Sequence, residues 1–327
     1  MIGLFVSSAS PSGDGGVFLT DLGLESARPL VTGAAVGALL WEAERSTLHG
    51  IEHGAAESLV SWRWDGVGLT ETSRHALPGA GSCSIARVDA RLVIAQFFSG
   101  TVVVLDTSTA PETPPRVCHL RGSGPEAGKQ DSPHPHHVLP GGAETLVTDF
   151  GADRIWRIDP ASATVQGEIV LPAGSGPRHT VRLSDQQLAV TGELDCTLLR
   201  VQLPGEEVVS AATTRRVLVE RIYPSDLAVH RSGRVIVANR QAGTLGVIDP
   251  DANVLVAEVD ALGAWPLNLE MIGDALFVTQ RDDDAVQSFD VSRDAPTPMN
   301  RIAIPRPQWV VAGPAVGGSF PKEEGNE

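Results

Sequence analysis

Five segments of the chain align with one another without a gap, and this repeat limits the fold more than any other feature of the sequence. They are IAQFFSGTVVVLD (94–106), VTDFGADRIWRID (147–159), VTGELDCTLLRVQ (190–202), VANRQAGTLGVID (237–249) and VTQRDDDAVQSFD (278–290). Each reads as an apolar strand end, a polar turn and an alternating second strand that usually ends on Asp. Successive segments begin 41 to 53 residues apart, which is the spacing of propeller blades or of comparable β-arrays.

Each segment is preceded by one strand-like run and followed by another, so the repeating unit has four antiparallel strands. Preceding runs such as GPRHTVRL (176–183) and WPLNLEMI (265–272) carry Gly or Pro at their start, and a hairpin turn follows each of them. Four strands per unit predict an all-β, seven-bladed β-propeller of four-stranded antiparallel blades. Residues 1–32 would hold most of the first blade, and residues 48–65 would belong to the second.

The end of the chain is predicted to close the ring. RPQWVVAG (306–313) reads as one extra strand, which we expect to pair with the first blade and so remove the exposed sheet edges. The propeller would then occupy residues 1–318 as a single domain. The polar segment SFPKEEGNE (319–327) is predicted to be a disordered tail.

Composition excludes several classes of partner. The formal net charge of −15 argues against nucleic acid and against anionic membranes, because both attract basic surfaces. The three cysteines are widely spaced, which indicates reduced thiols rather than a disulfide or zinc framework. The N-terminus lacks the pattern of a secretory leader. We therefore expect a cytoplasmic monomer or weak homodimer that needs no metal and no cofactor.

Two positions in each repeat are expected to meet at one end of the central channel. In a propeller, the loop leading into the first strand and the loop between the second and third strands open on the same face. The fourth column of the alignment supplies the second loop, and it changes from Phe97 and Phe150 to Glu193, Arg240 and Arg281. The two sets together predict a funnel with polar candidates from distant parts of the chain: His136, Arg178, His179, Ser225, Asp226, Asn268, Asp149, Glu193, Asn239, Arg240, Gln280 and Arg281.

Structural interpretations compete with functional ones at several of these positions. An Asp that ends a strand is usually a turn-former, which is the interpretation we favour for Asp106, Asp159, Asp249 and Asp290. His134, His136 and His137 lie on an extended segment with an intervening Pro, so they cannot easily bind one metal ion. A carboxylate at Glu193 facing Arg178 and Arg240 would stay ionised, either as catalytic machinery or as an ion pair between blades.

Several motifs together resemble the lactonase family of seven-bladed propellers, which includes the propeller type of 6-phosphogluconolactonase and the fungal carboxy-muconate lactonising enzyme. The motifs are SPHPHHV with VTDFGADRI, GSGPRH with VTGELD, PSDLAVHRSGRVIVANR, and the late PRPQWV. The resemblance implies an active site of one His, two Arg and one Glu without a required metal. Carried over by motif, these are His136, Arg178, Glu193 and Arg240. Two residues depart from the family pattern, namely Gly192 directly before Glu193 and, on the third blade, Ser84. The resemblance therefore leaves the identity of the substrate open.

The resemblance implies a hydrolase that opens a small anionic lactone, such as a sugar or sugar-phosphate lactone. Arg178 and Arg240 would bind the anionic group and the oxyanion, and Glu193 or His136 would transfer the proton. The expected substrate-binding residues are His179, Asp149, Asn239, Asp226, Asn268, Gln280 and Arg281. Two alternatives remain open: a lactone-forming cycloisomerase in the same pocket, and a non-catalytic propeller that binds a ligand or a protein.

Overall fold

The computed structural model describes residues 2–109, 113–141, 144–203, 205–216 and 222–315. These residues form seven four-stranded antiparallel sheets, as the repeat predicts. The expected tail at 319–327, and with it the expected domain boundary at 318, lies outside the described residues. Two short 3₁₀ helices, Ala43–Arg45 and Arg281–Asp283, occupy turns. In the part of the chain that is described, no helix has the length and apolar character needed to cross a membrane.

The first blade is assembled from both ends of the chain. Its strands are β1 (Ile2–Ser8), β2 (Gly16–Asp21), β3 (Ala27–Thr32) and the last strand, β28 (Pro307–Ala315). β28 pairs antiparallel with β1, with Phe5 opposite Val311 and Val6 opposite Val310. The predicted closure of the ring by residues 306–313 is therefore confirmed.

The other six blades are each made of four consecutive strands. Blades two to four contain, in chain order, β4 (Ala35–Glu42), β5 (Thr47–His53), β6 (Ser58–Trp64), β7 (Leu69–Ala76), β8 (Ser82–Val88), β9 (Arg91–Gln96), β10 (Thr101–Asp106), β11 (Arg116–His119), β12 (Pro135–Gly141), β13 (Glu144–Asp149), β14 (Arg154–Asp159) and β15 (Thr164–Val170). Blades five to seven contain β16 (Pro177–Ser184), β17 (Gln187–Gly192), β18 (Thr197–Gln202), β19 (Glu207–Thr213), β20 (Pro224–Val229), β21 (Val235–Asn239), β22 (Thr244–Asp249), β23 (Val254–Asp260), β24 (Pro266–Ile272), β25 (Ala275–Gln280), β26 (Ala285–Asp290) and β27 (Thr297–Ala303).

The core lies between the blades. The middle strands are apolar on both faces, as in ALFVTQ of β25, because each blade packs against a neighbour on either side. Among the described residues, the buried side chains form one cluster for each pair of adjacent blades. The outermost strands, such as β27, are largely exposed. This packing holds the first strands as an inner ring, in which β28 stands between β24 and β4.

The repeated Asp residues act as turn-formers. The Asp249 carboxylate accepts hydrogen bonds from the backbone N–H groups of Asp251 at 3.0 Å and Ala252 at 2.8 Å. Asp106, Asp159 and Asp290 accept similar bonds from the residues two positions later. These contacts confirm the structural interpretation and fix the end of the third strand in each of these blades.

Candidate active site

A cavity of about 530 Å³ opens at one end of the channel, where the loops from all the blades converge. Its wall has two chemically different parts. The polar part carries His136, Arg178, His179, Glu193, Arg240 and Arg281. The rest of the lining is mostly small, apolar or aromatic, and this apolar wall includes Gly37, Ala38, Gly81, Cys83, Phe97, Phe98, Leu267 and Trp309. The cavity therefore joins the four residues of the predicted catalytic set, which the sequence separates by more than a hundred positions.

Glu193 bridges two arginines in the polar wall. Its Oε2 lies 2.9 Å from Nη1 of Arg178 and 2.6 Å from Nη2 of Arg240. Burial favours the neutral acid, but the two positive charges and their hydrogen bonds outweigh it, so the pKa of Glu193 is below its ordinary value. Burial and the charge of Arg178 lower the pKa of Arg240 to about 10, which leaves it protonated at neutral pH. The carboxylate thus holds two like charges side by side at the cavity.

Two aromatic residues support Arg240 from behind. Its guanidinium lies 5.2 Å from the ring centre of Trp265 and 5.8 Å from that of Tyr223, while Arg281 lies 4.6 Å from Trp265. Arg240 also donates a hydrogen bond from Nε to the carbonyl oxygen of Tyr223 at 3.2 Å. These cation–π contacts fix the direction of the charge without neutralising it. Neither aromatic residue was predicted as part of the site, although each stands directly before the Pro that starts a first strand.

The three neighbouring histidines of blade four point in different directions. His136 lines the cavity, with its ring centre 5.7 Å from that of Phe97 and 5.5 Å from that of His179. His134 stacks on Phe97 at 4.4 Å and His137 stacks on His179 at 4.4 Å, and neither of them lines the cavity. Burial and the positive charge of Arg178 lower the pKa of His136 well below its ordinary value, so His136 is neutral. In the described ranges no cluster of three or more His, Cys, Asp or Glu is arranged to hold a metal ion.

Five of the predicted substrate-binding residues lie behind the cavity wall instead of on it. Asp149 accepts hydrogen bonds from the backbone of His134, Gly151 and Ala152 and from the Trp156 indole. Asn239 and Gln280 each donate to a backbone carbonyl of the preceding connection. The physical reason is alternation, because each of these three residues directly precedes a residue of the fourth column and faces the other way. Their contacts are those of turn and strand stabilisation.

The remaining two, Asp226 and Asn268, lie directly beneath His179. Asp226 Oδ1 is 2.5 Å from His179 Nδ1, and Oδ2 accepts a hydrogen bond from Asn268 Nδ2 at 2.6 Å. Burial opposes ionisation of Asp226, but the interaction with His179 outweighs it and the pKa of Asp226 is lowered. His179 and Arg281 do line the cavity, as expected of substrate-binding residues. Arg281 is paired with Asp282, with Nε and Oδ1 2.8 Å apart.

The cavity also contains residues that the sequence did not single out as a site. His53 of blade two lines it, and its Nδ1 is 3.1 Å from Oε1 of Glu57. Glu57 accepts backbone hydrogen bonds from Gly81 and Ser82, and although burial opposes ionisation, these contacts lower its pKa to about 2. Phe98 is 75% exposed and forms part of the apolar wall. In the sequence, residues 48–65 fit the repeat loosely and bring His53 near the fourth column of the alignment, which is the signal that could have found it.

Comparison with known proteins agrees with the fold and the repeat. A protein from Bacteroides fragilis, assigned provisionally as a 6-phosphogluconolactonase, superposes with a TM-score of 0.82 at 20% identity, over 94% of this chain and 97% of that one. The periplasmic gluconolactonase PpgL of Pseudomonas aeruginosa gives a TM-score of 0.82 at 19% identity, over 94% and 98% of the two chains. Virginiamycin B lyase from Staphylococcus aureus gives 0.63 at 14% identity, over 81% and 84%.

No curated protein matches the chain. The family described as "Lactonase, 7-bladed beta-propeller" matches residues 18–312, which include blades two to seven in full, part of blade one and every residue of the polar wall. With its fold, its ring closure and its repeats in agreement with that match, the chain belongs to the lactonase family of seven-bladed β-propellers.

Proposed function

We propose that the protein hydrolyses a small anionic lactone in the cavity at the channel end. The observation that carries the proposal is the Arg178–Glu193–Arg240 cluster, in which two fixed guanidinium groups face a cavity of about 530 Å³ in a lactonase-family propeller. A single sugar-sized ring suits a cavity of this volume. The cationic groups suit a substrate with a carbonyl that becomes an oxyanion.

The two arginines would act mainly in the transition state. When water adds to the lactone carbonyl, negative charge develops on the carbonyl oxygen, and pre-oriented guanidinium donors stabilise it. Glu193 keeps both arginines in place against their mutual repulsion, and the aromatic rings of Tyr223 and Trp265 restrain Arg240. Of the two proton carriers expected from the sequence, Glu193 is engaged by both arginines and His136 has a strongly lowered pKa.

The proposed substrate class is a sugar or sugar-phosphate lactone, opened without a metal ion. Support comes from two similar structures, a gluconolactonase and a provisionally assigned 6-phosphogluconolactonase. The apolar wall of Phe97, Phe98 and Trp309 offers ring faces on which a sugar can stack, and Arg281 at the rim could contact an anionic substituent. The net charge of −15 makes this local group of arginines a focused attractive site for an anion.

The test is acid release at neutral pH from fresh δ-gluconolactone, 6-phosphogluconolactone and other sugar lactones. We expect Glu193→Gln and Arg240→Ala to reduce kcat/KM about 10²- to 10³-fold, because each disturbs the oxyanion donors. Arg234→Ala is the matched control. Arg234 forms an ion pair with Asp249, with Nη1 and Oδ2 2.6 Å apart, and this pair lies outside the cavity. We expect the substitution to leave turnover unchanged. Circular dichroism would confirm that the variants are folded, since breaking a buried ion pair also destabilises.

Two results would count against the proposal. If wild-type protein releases no acid from any of these lactones, lactone hydrolysis is excluded as its function. An isomerase or a binding propeller would then explain the cavity better. Full turnover in both cavity variants would place the chemistry elsewhere. Acid release separates hydrolysis from cycloisomerisation, because only hydrolysis consumes water and produces a new acid.

A further inference from the structure

Lactone hydrolysis needs a group that takes a proton from water and gives it to the leaving ring oxygen. Glu193 is poorly placed for this exchange, because protonation of its carboxylate would break the contacts that both Arg178 and Arg240 make with Oε2. His136 has its Nδ1 buried without a hydrogen-bond partner among the described residues, so nothing fixes its tautomer. A third group in the same wall meets the requirement better.

His179 is held by a carboxylate in the way that general-base histidines are held. Its Nδ1 lies 2.5 Å from Oδ1 of Asp226, so the Nδ1–H donates to the carboxylate and Nε2 is the nitrogen left for the cavity. Asp226 is itself fixed by hydrogen bonds from the backbone N–H of Leu227 at 2.8 Å and of Leu269 at 2.9 Å. The ring is further restrained by its stack on His137 at 4.4 Å.

The support for Asp226 extends through two more blades. Asn268 donates to Asp226 Oδ2 at 2.6 Å, and Asn268 Oδ1 accepts the backbone N–H of Val310 at 2.8 Å. The chain His179–Asp226–Asn268–Val310 therefore links blades five, six, seven and one beneath the cavity. Such a fully bonded network is buried and rigid, which is what positions a proton-transfer group.

We propose that His179, positioned by Asp226, is the catalytic acid–base of the lactone hydrolysis, a role that rests on the proposed function. His136 then remains a neutral wall residue that contacts the substrate. The charged and titratable groups facing His179 are His136 and His137 of β12, Arg178 of its own strand and Asp226 of β20. Of these, Asp226 is the negatively charged one, and it lies 2.5 Å from His179 Nδ1.

The His179–Asp226 pair, called the dyad below, takes up one proton during the reaction and gives it back. The water oxygen bonds to the carbonyl carbon while its proton moves to Nε2 of His179, and the carbonyl electron pair moves to the oxygen held by Arg178 and Arg240. The tetrahedral intermediate then collapses, the bond from carbon to the ring oxygen breaks, and Nε2 returns the proton to that oxygen. His179 is neutral again, and the new carboxylic acid releases its proton to solvent. Asp226 stays ionised throughout.

The experiment measures kcat, KM and the pH profile of lactone hydrolysis for wild type, His179→Gln, His179→Ala and Asp226→Asn. We expect His179→Gln to lower kcat about 10²- to 10⁴-fold with little change in KM. Added imidazole should restore part of the activity of His179→Ala. Asp226→Asn should lower kcat less and shift the acidic limb of the pH profile to lower pH, because the neighbouring negative charge is lost.

The matched control is a second His–Asp pair outside the cavity, in which the His is buried and the Asp is partly exposed. His230 Nε2 lies 2.9 Å from Asp274 Oδ1, and we expect His230→Gln and Asp274→Asn to leave the pH profile unchanged. If wild type hydrolyses lactones and His179→Gln keeps its kcat, the dyad proposal is overturned while the lactonase stands. Should His179→Gln fail to fold, an Asp226→Asn variant with the wild-type pH profile would also overturn it. If the wild-type protein hydrolyses no lactone, the proposed function itself is contradicted.

Discussion

The residue that leads into a first strand adopts the left-handed conformation in several blades. Gly176 has φ of 58°, and the aromatic residues at the equivalent places, Tyr223 and Trp265, have φ of 51° and 59°. Each stands before a Pro, where sterically crowded residues do not adopt this conformation without strain. In blades six and seven the strain coincides with the two rings that contact Arg240. Local strain and the placement of the arginine are thus features of the same turns.

Blade five uses glycine at this place because there is no room for a side chain. A Cβ at Gly176 would lie 2.6 Å from Cγ of Leu194 and 3.0 Å from Cε2 of Phe150, and Leu194 directly follows Glu193. We predict that Gly176→Ala lowers the free energy of unfolding by about 2–4 kcal/mol, as backbone strain and overpacking add together. Urea unfolding measures the change.

Gly273 supplies the control for that substitution. It has φ of 61°, and a Cβ added to it would have no atom within 4 Å, so Gly273→Ala carries the backbone strain alone and should cost about 1–2 kcal/mol. Equal losses for the two variants would contradict the packing argument. A reduced kcat for Gly176→Ala but not for Gly273→Ala would show that the turn also positions the Arg178–Glu193 pair.

At the scale of strands and loops, the repeat made most of the site predictable. The gap-free alignment located the second and third strands of five blades, and the motifs leading into the first strands located His136 and Arg178. The sequence could not show which of two adjacent columns faces the cavity. Asn239 and Gln280 face away because they precede Arg240 and Arg281, which line the cavity, on an alternating backbone. That orientation depends on the twist at each strand end.

Positions one and two residues after the starting Pro differ from blade to blade. His136, Arg178 and Leu267 follow the Pro directly and line the cavity. Of the residues one position later, His179 also lines the cavity, whereas Asp226 and Asn268 form a hydrogen-bonded layer below it. The prediction therefore placed two adjacent positions of each first strand in one funnel. Telling the two positions apart requires the register in which each first strand pairs with the second strand, and the sequence does not contain that register.

A partly buried acid in this inner ring gives a pH-dependent contribution to stability. Glu270 of β24 accepts the backbone N–H of Ala312 at 3.1 Å, and burial raises its pKa to about 7. Because the folded-state pKa exceeds the ordinary value of 4.5, the folded state binds more protons between these two values, and stability falls as pH rises from 4.5 to 7. We predict that Glu270→Gln is more stable than wild type by roughly 2–3 kcal/mol at pH 8 and nearly equal to it at pH 5.

Urea unfolding at the two pH values measures this difference, and Glu44→Gln is the control. Glu44 is exposed, so its substitution should have a small effect that does not change with pH. A stability difference for Glu270→Gln that is the same at pH 5 and pH 8 would contradict ionisation of a partly buried carboxyl. A variant less stable than wild type at pH 8 would show that the charged form is favoured at this position.

On the scale of the whole molecule, β28 joins ring closure to the site. It pairs with β1 and fills the inner place of blade one, so it removes the open edges of the propeller. It also brings Trp309 to the cavity wall and supplies the backbone N–H groups of Val310 and Ala312 to Asn268 and Glu270. Ring closure and assembly of the hydrogen-bonded layer of Asp226 and Asn268 are therefore expected to occur together.

We predict that removal of residues 306–327 abolishes both the folded ring and lactone hydrolysis. The deletion exposes the inner edge of β1 and leaves its apolar residues Leu4, Phe5 and Val6 without their partners on β28. Exposed edges of this kind aggregate. Circular dichroism, a melting curve and binding of a hydrophobic dye measure the loss. A truncated chain that keeps the wild-type melting temperature would show that β28 does not close the ring.

A circular permutant separates ring closure from chain length. Ile2 lies opposite Ala315, so a short turn can join these residues, and new ends can be opened between Ser232 and Gly233 in the exposed turn that precedes β21. The permuted chain then ends with β20 and begins with β21, so blade six is closed by one C-terminal inner strand as blade one is in the natural order. We expect it to fold, to hydrolyse the same lactones and to melt within about 5 °C of wild type.

Deleting β20 from the permutant should cause the same loss as deleting β28 from the natural chain, because in both cases the ring lacks the strand that closes it. A permutant that stays unfolded would mean that the pairing of β28 with β1 cannot be replaced by closure at another blade.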